Sequence, residues 1–184
     1  HETNPREKLH SERVSMLCRK IGQAMELDEQ DIKELEIAGL MHDIGKIAIN
    51  NDILNKPGKL TDSEFEEIKK HPEISYHILK SADVYTRLAE YVLSHHERWD
   101  GKGYPRGLSG EDIPLVSRII TVADAYEAMT ATRTYKKAFS NEKAIEELKR
   151  CSIKAEKTRP EKEFPPPPKH RRAQGFEFQA NPDE

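Results

Sequence analysis

The chain has 184 residues and a mass of 21.2 kDa, the size of one domain with at most a small appendage. Its 30 Lys and Arg against 33 Asp and Glu leave a net charge of −3, so no broad basic field exists to attract a DNA or RNA duplex or anionic lipid. No stretch approaches the roughly 18–20 apolar residues of a membrane span, and the opening HETNPREKLH lacks the apolar centre of a signal peptide, which predicts a domain that does not itself insert into a membrane.

Because the first residue is His1 and not Met, the expectation is an excerpt or processed piece of a longer polypeptide. Val14, Leu17, Cys18, Ile21 and Met25 recur at the three- and four-residue steps of one helix face. His10 lies four residues before Val14 on that inward side. A second helix is predicted from Asp28 to Lys46. In it Ile32, Leu35, Gly39, His42, Asp43 and Lys46 share one broad side, while Ile37 and Met41 make the other side apolar too, which places the polar trio inside. NNDILNKPGKL reads as a loop broken at Pro57–Gly58. Thr61 with Glu64 then forms a capping box that starts a helix towards Lys70, and His71–Pro72 marks the next helix boundary. Tyr85, Leu88, Ala89 and Val92 define another face, which His95 and His96 extend at the same spacing. ERWDGKGYPRGLSGEDIP is a loop. Pro114 opens a helix in which Val116, Ile120, Ala123 and Asp124 share a face, and a shorter helix runs from Asn141 to Arg150.

From Cys151 the character changes: residues 151–184 hold six of the eleven prolines, with Pro165 to Pro168 in a row. The expected organisation is a domain over 1–150 and a Pro-rich, charged, disordered or extended tail over 151–184. Cys18 and Cys151 form no CxxC pair, which predicts a reducing, cytoplasmic setting. No convincing strand alternation occurs, so the fold class is all-α.

His10, His42, Asp43, His71, His95, His96 and Asp124 thus reach inward faces from several helices or helix ends. Buried ionisable groups are costly unless paired or bound to metal, and one inward His is by itself more often a hydrogen-bonded core residue than a ligand. The multiplicity points to an ion cluster. Imidazole and carboxylate donors without thiolate suit iron, manganese, nickel or zinc and disfavour calcium. Seven donors exceed the need of one tetrahedral ion, so the expectation is two divalent metals about 3.5–4 Å apart with Asp43 as the natural bridge. Such a pair suits phosphoester hydrolysis, with the Lys46 ammonium beside a non-bridging phosphate oxygen; as a plain surface residue, Lys46 would only end a helix.

With His10 upstream and Asp124 downstream, HDIGK at His42–Lys46 resembles the HD superfamily of metal-dependent phosphohydrolases, and HHERWDGKGYP at His95–Pro105 resembles its HD-GYP branch. The likeness runs from about residue 5 to 150. It implies a helical bundle around a di-iron or di-manganese centre, and a bacterial signalling phosphodiesterase that converts cyclic di-GMP to the linear dinucleotide pGpG, to GMP, or to both. Carried over position by position, it implies the same seven metal ligands and Lys46 on the scissile phosphate. In TATRTYKK it puts Arg133 on guanine and Lys136 on phosphate, where a plain reading sees two solvated charges. Gly103, Tyr104 and Pro105 would shape a loop beside the active site, with GGDEF-type domains as its partners.

Two features depart from the family pattern. Some relatives hold a third metal through a Glu four residues before the first His; here that position is Arg6, which favours two metals, with Glu7 near enough to leave a third open. The family also continues with helical sequence where this chain has IKAEKTRPEKEFPPPPKHRR, which does not match it. The resemblance leaves a homodimer open and suggests an upstream sensor or receiver, membrane-anchored in some arrangements. Two alternatives compete with the main expectation. One is a module that binds the cyclic dinucleotide or a GGDEF partner without turnover; the other is an HD hydrolase of another nucleotide such as cyclic GMP-AMP.

Overall fold

A computed structural model describes residues 5–82, 85–132 and 138–157. Eight α-helices make up the described part: α1 (Pro5–Ala24), α2 (Glu29–Met41), α3 (Asn51–Leu54), α4 (Asp62–Ile68), α5 (His71–Lys80), α6 (Thr86–Leu93), α7 (Leu115–Thr130) and α8 (Asn141–Lys157). Short 3-10 turns occupy Ile44–Ala48 and Gly110–Asp112. No strand occurs among the described residues, and none of their helices is long and apolar enough to cross a membrane.

Local chemistry explains most boundaries. The Asp28 side chain caps α2 by accepting the Asp31 N–H at 2.8 Å. Thr61 and Glu64 form the reciprocal capping box expected at the start of α4. Pro72 sits in the first turn of α5, where its missing N–H leaves no helical bond unmade.

The helix predicted over Asp28–Lys46 instead ends at Met41. Asp43 leaves helical geometry (φ −102°, ψ 10°), and the tighter turn Ile44–Ala48 redirects the chain onto α5. There the Gly45 N–H donates to Ser75 Oγ at 2.8 Å, and Ser75 Oγ donates to the His42 carbonyl at 3.2 Å. A Cβ on residue 45 would lie 2.2 Å from the His71 carbonyl oxygen, so only glycine permits this approach. Ile37 is exposed rather than inward, since Leu35, Ala38 and Gly39 form the buried side of α2. The predicted loop after residue 49 opens with the single turn α3, capped by Asn50, whose side chain accepts the Asp52 N–H at 2.9 Å. The last helix continues past Arg150 to Lys157.

Packing puts α1 against α2 and α7, and α5 against α6. Val14 and Cys18 of α1 meet Leu35 and Ala38 of α2, Leu88 of α6, and Ile119, Ile120 and Ala123 of α7. A second cluster joins Leu79 of α5 to Ala89 and Val92 of α6. Each such large aliphatic side chain contributes about 1.5–3 kcal/mol when fully buried. The core also pushes the Cys18 thiol up to about 12 by burial, so it stays a neutral apolar filler.

Candidate metal centre

The histidines sit where helices begin and end around these two clusters. His10 projects from α1, His42 and Asp43 follow α2, His71 is the first residue of α5, His95 and His96 follow α6, and Asp124 lies on α7. His10, His42, Asp43, His71 and His95 are all buried.

Three rings are oriented by the same local device. Nδ1 of His42 bonds the Gly39 carbonyl at 2.8 Å, that of His71 the Ile68 carbonyl at 2.7 Å, and that of His95 the Val92 carbonyl at 2.5 Å. A carbonyl oxygen only accepts, so each Nδ1 carries a proton and Nε2 is the nitrogen left to face a metal. His10 uses a side chain instead: its Nδ1 lies 2.6 Å from Glu127 Oε2.

The freed Nε2 atoms converge on Asp43. One carboxylate oxygen, Oδ1, is 3.2 Å from His71 Nε2. The other, Oδ2, is 3.2 Å from His42 Nε2, 3.5 Å from His10 Nε2 and 2.6 Å from Lys46 Nζ. His71 and His95 turn Nε2 atoms towards each other at 3.3 Å, two lone pairs with no proton between them when both rings are neutral. His42 Nε2 is buried and makes no hydrogen bond. Both are arrangements that a cation relieves. Two groups of donors lie within 4.8 Å of one another, Asp43 with His71, His95 and His96, and Asp43 with His10 and His42. Asp43 is common to both. Asp124 adds an oxygen 3.3 Å from His10 Nε2. The cluster can therefore hold metal, and its all-nitrogen and oxygen donor set fits a divalent transition ion.

Protonation suits that role at Asp43, His95 and His96, whereas His42, despite its burial, is drawn towards its charged form by Asp43. Burial alone would raise Asp43, but His42 and Lys46 outweigh it and hold the carboxyl well below its usual range. Burial, reinforced by the neighbouring His96, His42 and His71, drives His95 well below the ordinary histidine value. Burial and His71 bring His96 down to about 4. Both rings are neutral at physiological pH and free to donate. Burial works against a charge on His10, yet Asp124, Asp43 and Glu127 together push it up to about 11, so a cation at this position competes with a proton.

The GYP loop closes one side. Tyr104 lies against the His96 ring, 4.9 Å between centroids and 30° between planes, and its N–H donates to the His96 carbonyl at 3.2 Å. A Cβ at Gly103 would come within 2.4 Å of the Arg98 nitrogen and 2.5 Å of the Glu97 Cα. The Tyr104–Pro105 peptide is cis. Lys69, which caps the end of α4, places its ammonium 5.4 Å from the centre of the Tyr104 ring.

Four important residues escaped the sequence. Glu97 is buried and accepts the backbone N–H groups of Arg106 at 2.6 Å and Leu108 at 2.9 Å, which fixes the loop. Ser75 ties the Gly45 turn to α5. Glu127 accepts a hydrogen bond from His10 Nδ1, and Arg13 donates to its other oxygen through Nε at 2.7 Å. Glu127 lies one turn beyond Asp124 in the stripe that includes Ile120 and Ala123, a signal that was present. Glu7, the spare donor near Arg6, instead pairs its Oε2 with Lys46 Nζ at 3.2 Å. Arg133 and Lys136 lie outside the described residues.

Among characterised proteins, a cyclic di-GMP phosphodiesterase of Thermotoga maritima is 44% identical over 147 residues, 79% of this chain and 40% of that protein. The cyclic di-GMP phosphodiesterase response regulator RpfG of Xanthomonas campestris is 42% identical over 136 residues, 73% of this chain and 36% of the regulator. A 3′3′-cGAMP-specific phosphodiesterase of Vibrio cholerae is 40% identical over 136 residues, covering 74% of this chain and 30% of its own. The chain thus spans two fifths or less of these relatives. An HDGYP protein from Bdellovibrio bacteriovorus superposes with a TM-score of 0.66 at 19% identity, over 79% of this chain and 47% of the other. The HD domain of the L. monocytogenes phosphodiesterase PgpH gives 0.61 at 16% identity, over 86% and 85%; both likenesses concern the fold. The family model for the HD domain matches residues 1–154, a span that contains every described donor of the histidine and aspartate cluster, and the chain belongs to the HD domain family.

Proposed function

We propose that this domain is a metal-dependent phosphodiesterase that opens cyclic di-GMP to the linear dinucleotide pGpG, with GMP as a further product. The observation that carries this reading is Asp43, whose two oxygens face separate groups of histidine nitrogens. His10, His42, Asp43, His71, His95, His96 and Asp124 would hold two divalent ions, with iron or manganese preferred to nickel or zinc. When bound, such ions supply Lewis acidity for the charge that builds on phosphate oxygens and lower the pKa of water.

The chain's own groups do the rest. Lys46 is half-enclosed, and although burial opposes its charge, Asp43 and Glu7 raise its pKa. It is therefore a fixed cation for a non-bridging phosphate oxygen and not the proton donor to the departing 3′ oxygen. Glu97 and Gly103 hold the GYP loop against His96, which limits water around the neutral rings. Arg133 and Lys136 are assigned to guanine and phosphate on the family resemblance.

A hybrid cyclic dinucleotide is the second substrate, favoured by the 40% identity to the cGAMP-specific Vibrio cholerae enzyme. The test is anaerobic incubation of the metal-loaded domain with cyclic di-GMP and, separately, 3′3′-cGAMP, with products separated by chromatography. Linear product from the parent and none from Asp43→Ala, which also loses metal, is expected. Nucleotide that binds and survives would replace the enzyme with a binding module.

A further inference from the structure

Of the four buried rings oriented through Nδ1, three are held by main-chain carbonyls three residues upstream, contacts that no side-chain substitution elsewhere removes. His10 alone depends on a removable group, Glu127, which is 3% exposed and lies 117 residues further along the chain. Arg13 braces that carboxylate on its second oxygen, with Nε at 2.7 Å and a terminal nitrogen at 2.5 Å. With Glu127 Oε2 on Nδ1, the opposite ring nitrogen is left between Asp43 at 3.5 Å and Asp124 at 3.3 Å.

From this asymmetry we infer that Glu127 is a positioning residue for one of the two metal positions only, and that Arg13–Glu127–His10 sets the affinity of the His10, His42 and Asp43 position independently of the Asp43, His71, His95 and His96 position. Carboxylates on a ligand histidine fix its tautomer and strengthen it as a donor, and their loss lowers metal affinity by about 10–100-fold. The three carbonyl-anchored rings lose nothing when Glu127 is removed. The two positions are therefore unequal by construction, and the weaker one is adjustable from α7. A cavity of about 220 Å³ between α1 and α7, bordered by Met16, Leu17 and Tyr126, reaches both Arg13 and Glu127, so the Arg13 end of the brace is open to solvent while Glu127 and the ring it orients are buried.

This inference rests on the two-metal reading, and the experiment separates the two. Parent, Glu127→Ala and Glu127→Gln are titrated with Mn²⁺ alone, with bound metal counted by mass spectrometry and the spin state followed by electron paramagnetic resonance. The parent is expected to take two ions with the broadened signal of a coupled pair. Glu127→Ala should hold one ion tightly, show the six-line signal of isolated Mn²⁺, and bind the second 10–100-fold more weakly. Glu127→Gln keeps an acceptor for Nδ1 and should recover part of the second affinity, while the first ion binds at parental affinity in both variants, a selectivity that a merely structural role would not produce. Two ions at parental affinity in Glu127→Ala, or equal weakening of both, overturns the inference while leaving the phosphodiesterase intact. A parent that binds fewer than two ions overturns the two-metal reading itself.

Discussion

Replacing Gly45 with alanine sets two effects of opposite sign against each other. Residue 45 lies in a helical turn without positive φ, where alanine restricts the unfolded chain and is worth about 0.4–1 kcal/mol to the folded state. Against that, the new Cβ would stand 2.2 Å from the His71 carbonyl oxygen and 2.6 Å from the Ser75 nitrogen, where carbon and oxygen ordinarily meet at about 3.3 Å. Both obstacles are backbone atoms of α5, so the turn must lift as a unit. Overpacking of this kind costs about 1–3 kcal/mol, and lifting the turn also strains the buried Gly45 N–H to Ser75 bond, another 1–3 kcal/mol if the donor is left unpaired. The net expectation is a loss of about 3 kcal/mol, a fall in Tm of roughly 6–12 °C for a domain of this size. Because His42 and Asp43 precede the turn and His71 supplies the obstructing carbonyl, metal affinity should fall with stability. Thermal unfolding by circular dichroism with and without Mn²⁺ checks both. An alanine variant as stable as the parent, or more stable, would refute the close approach of this turn to α5.

Lys46→Met should keep both metal ions yet lower kcat/KM by about 10²–10³, the usual cost of one aligned electrostatic partner; a variant that loses metal and retains turnover per bound ion would contradict the fixed-cation role. Glu97→Ala leaves the Arg106 and Leu108 amides without their acceptor and should destabilise by about 2–4 kcal/mol, with faster hydrogen exchange confined to residues 101–110. Asp100 is held at about 2, chiefly by the Arg98 hydrogen bond and also by the Lys102 N–H, against its burial. Its folded value lies below its ordinary 3.8, so its stabilisation is complete above that pH and is lost as pH falls through about 2. Asp100→Asn should be less stable than the parent at neutral pH, and the difference should shrink between about pH 4 and 2 in acid-unfolding curves.

The histidine spacing carried most of the centre because inward faces follow from periodicity: His10 on the stripe of Val14 and Cys18, Asp124 on that of Ile120 and Ala123. Helix starts at Asp28, Thr61 and Pro72 were legible because capping is local chemistry. The end of α2 was not. Residues 42–46 continue a helical pattern, and only the tertiary demand of seating Gly45 on α5 converts them to a tighter turn. Glu127 and Glu97 were passed over for a similar reason. A carboxylate read alone is assigned to water, and what draws these two inside is a partner that periodicity does not show, His10 at 117 residues' distance for one and the amides of the returning loop, nine and eleven residues on, for the other.

The three-residue reach from ring to carbonyl at His42, His71 and His95 bears on the order in which the centre is built. Each of these imidazoles is aimed by its own helix end, within a stretch of chain that forms in about a microsecond. When the helices meet, the rings already face the right way, so assembly is a docking of prepared parts and not a search over side-chain rotamers. His10 is the exception, for its anchor lies 117 residues away and exists only once α1 has settled against α7. The half of the centre nearest the N-terminus is therefore the last to be completed during folding and the first to come apart when α1 frays.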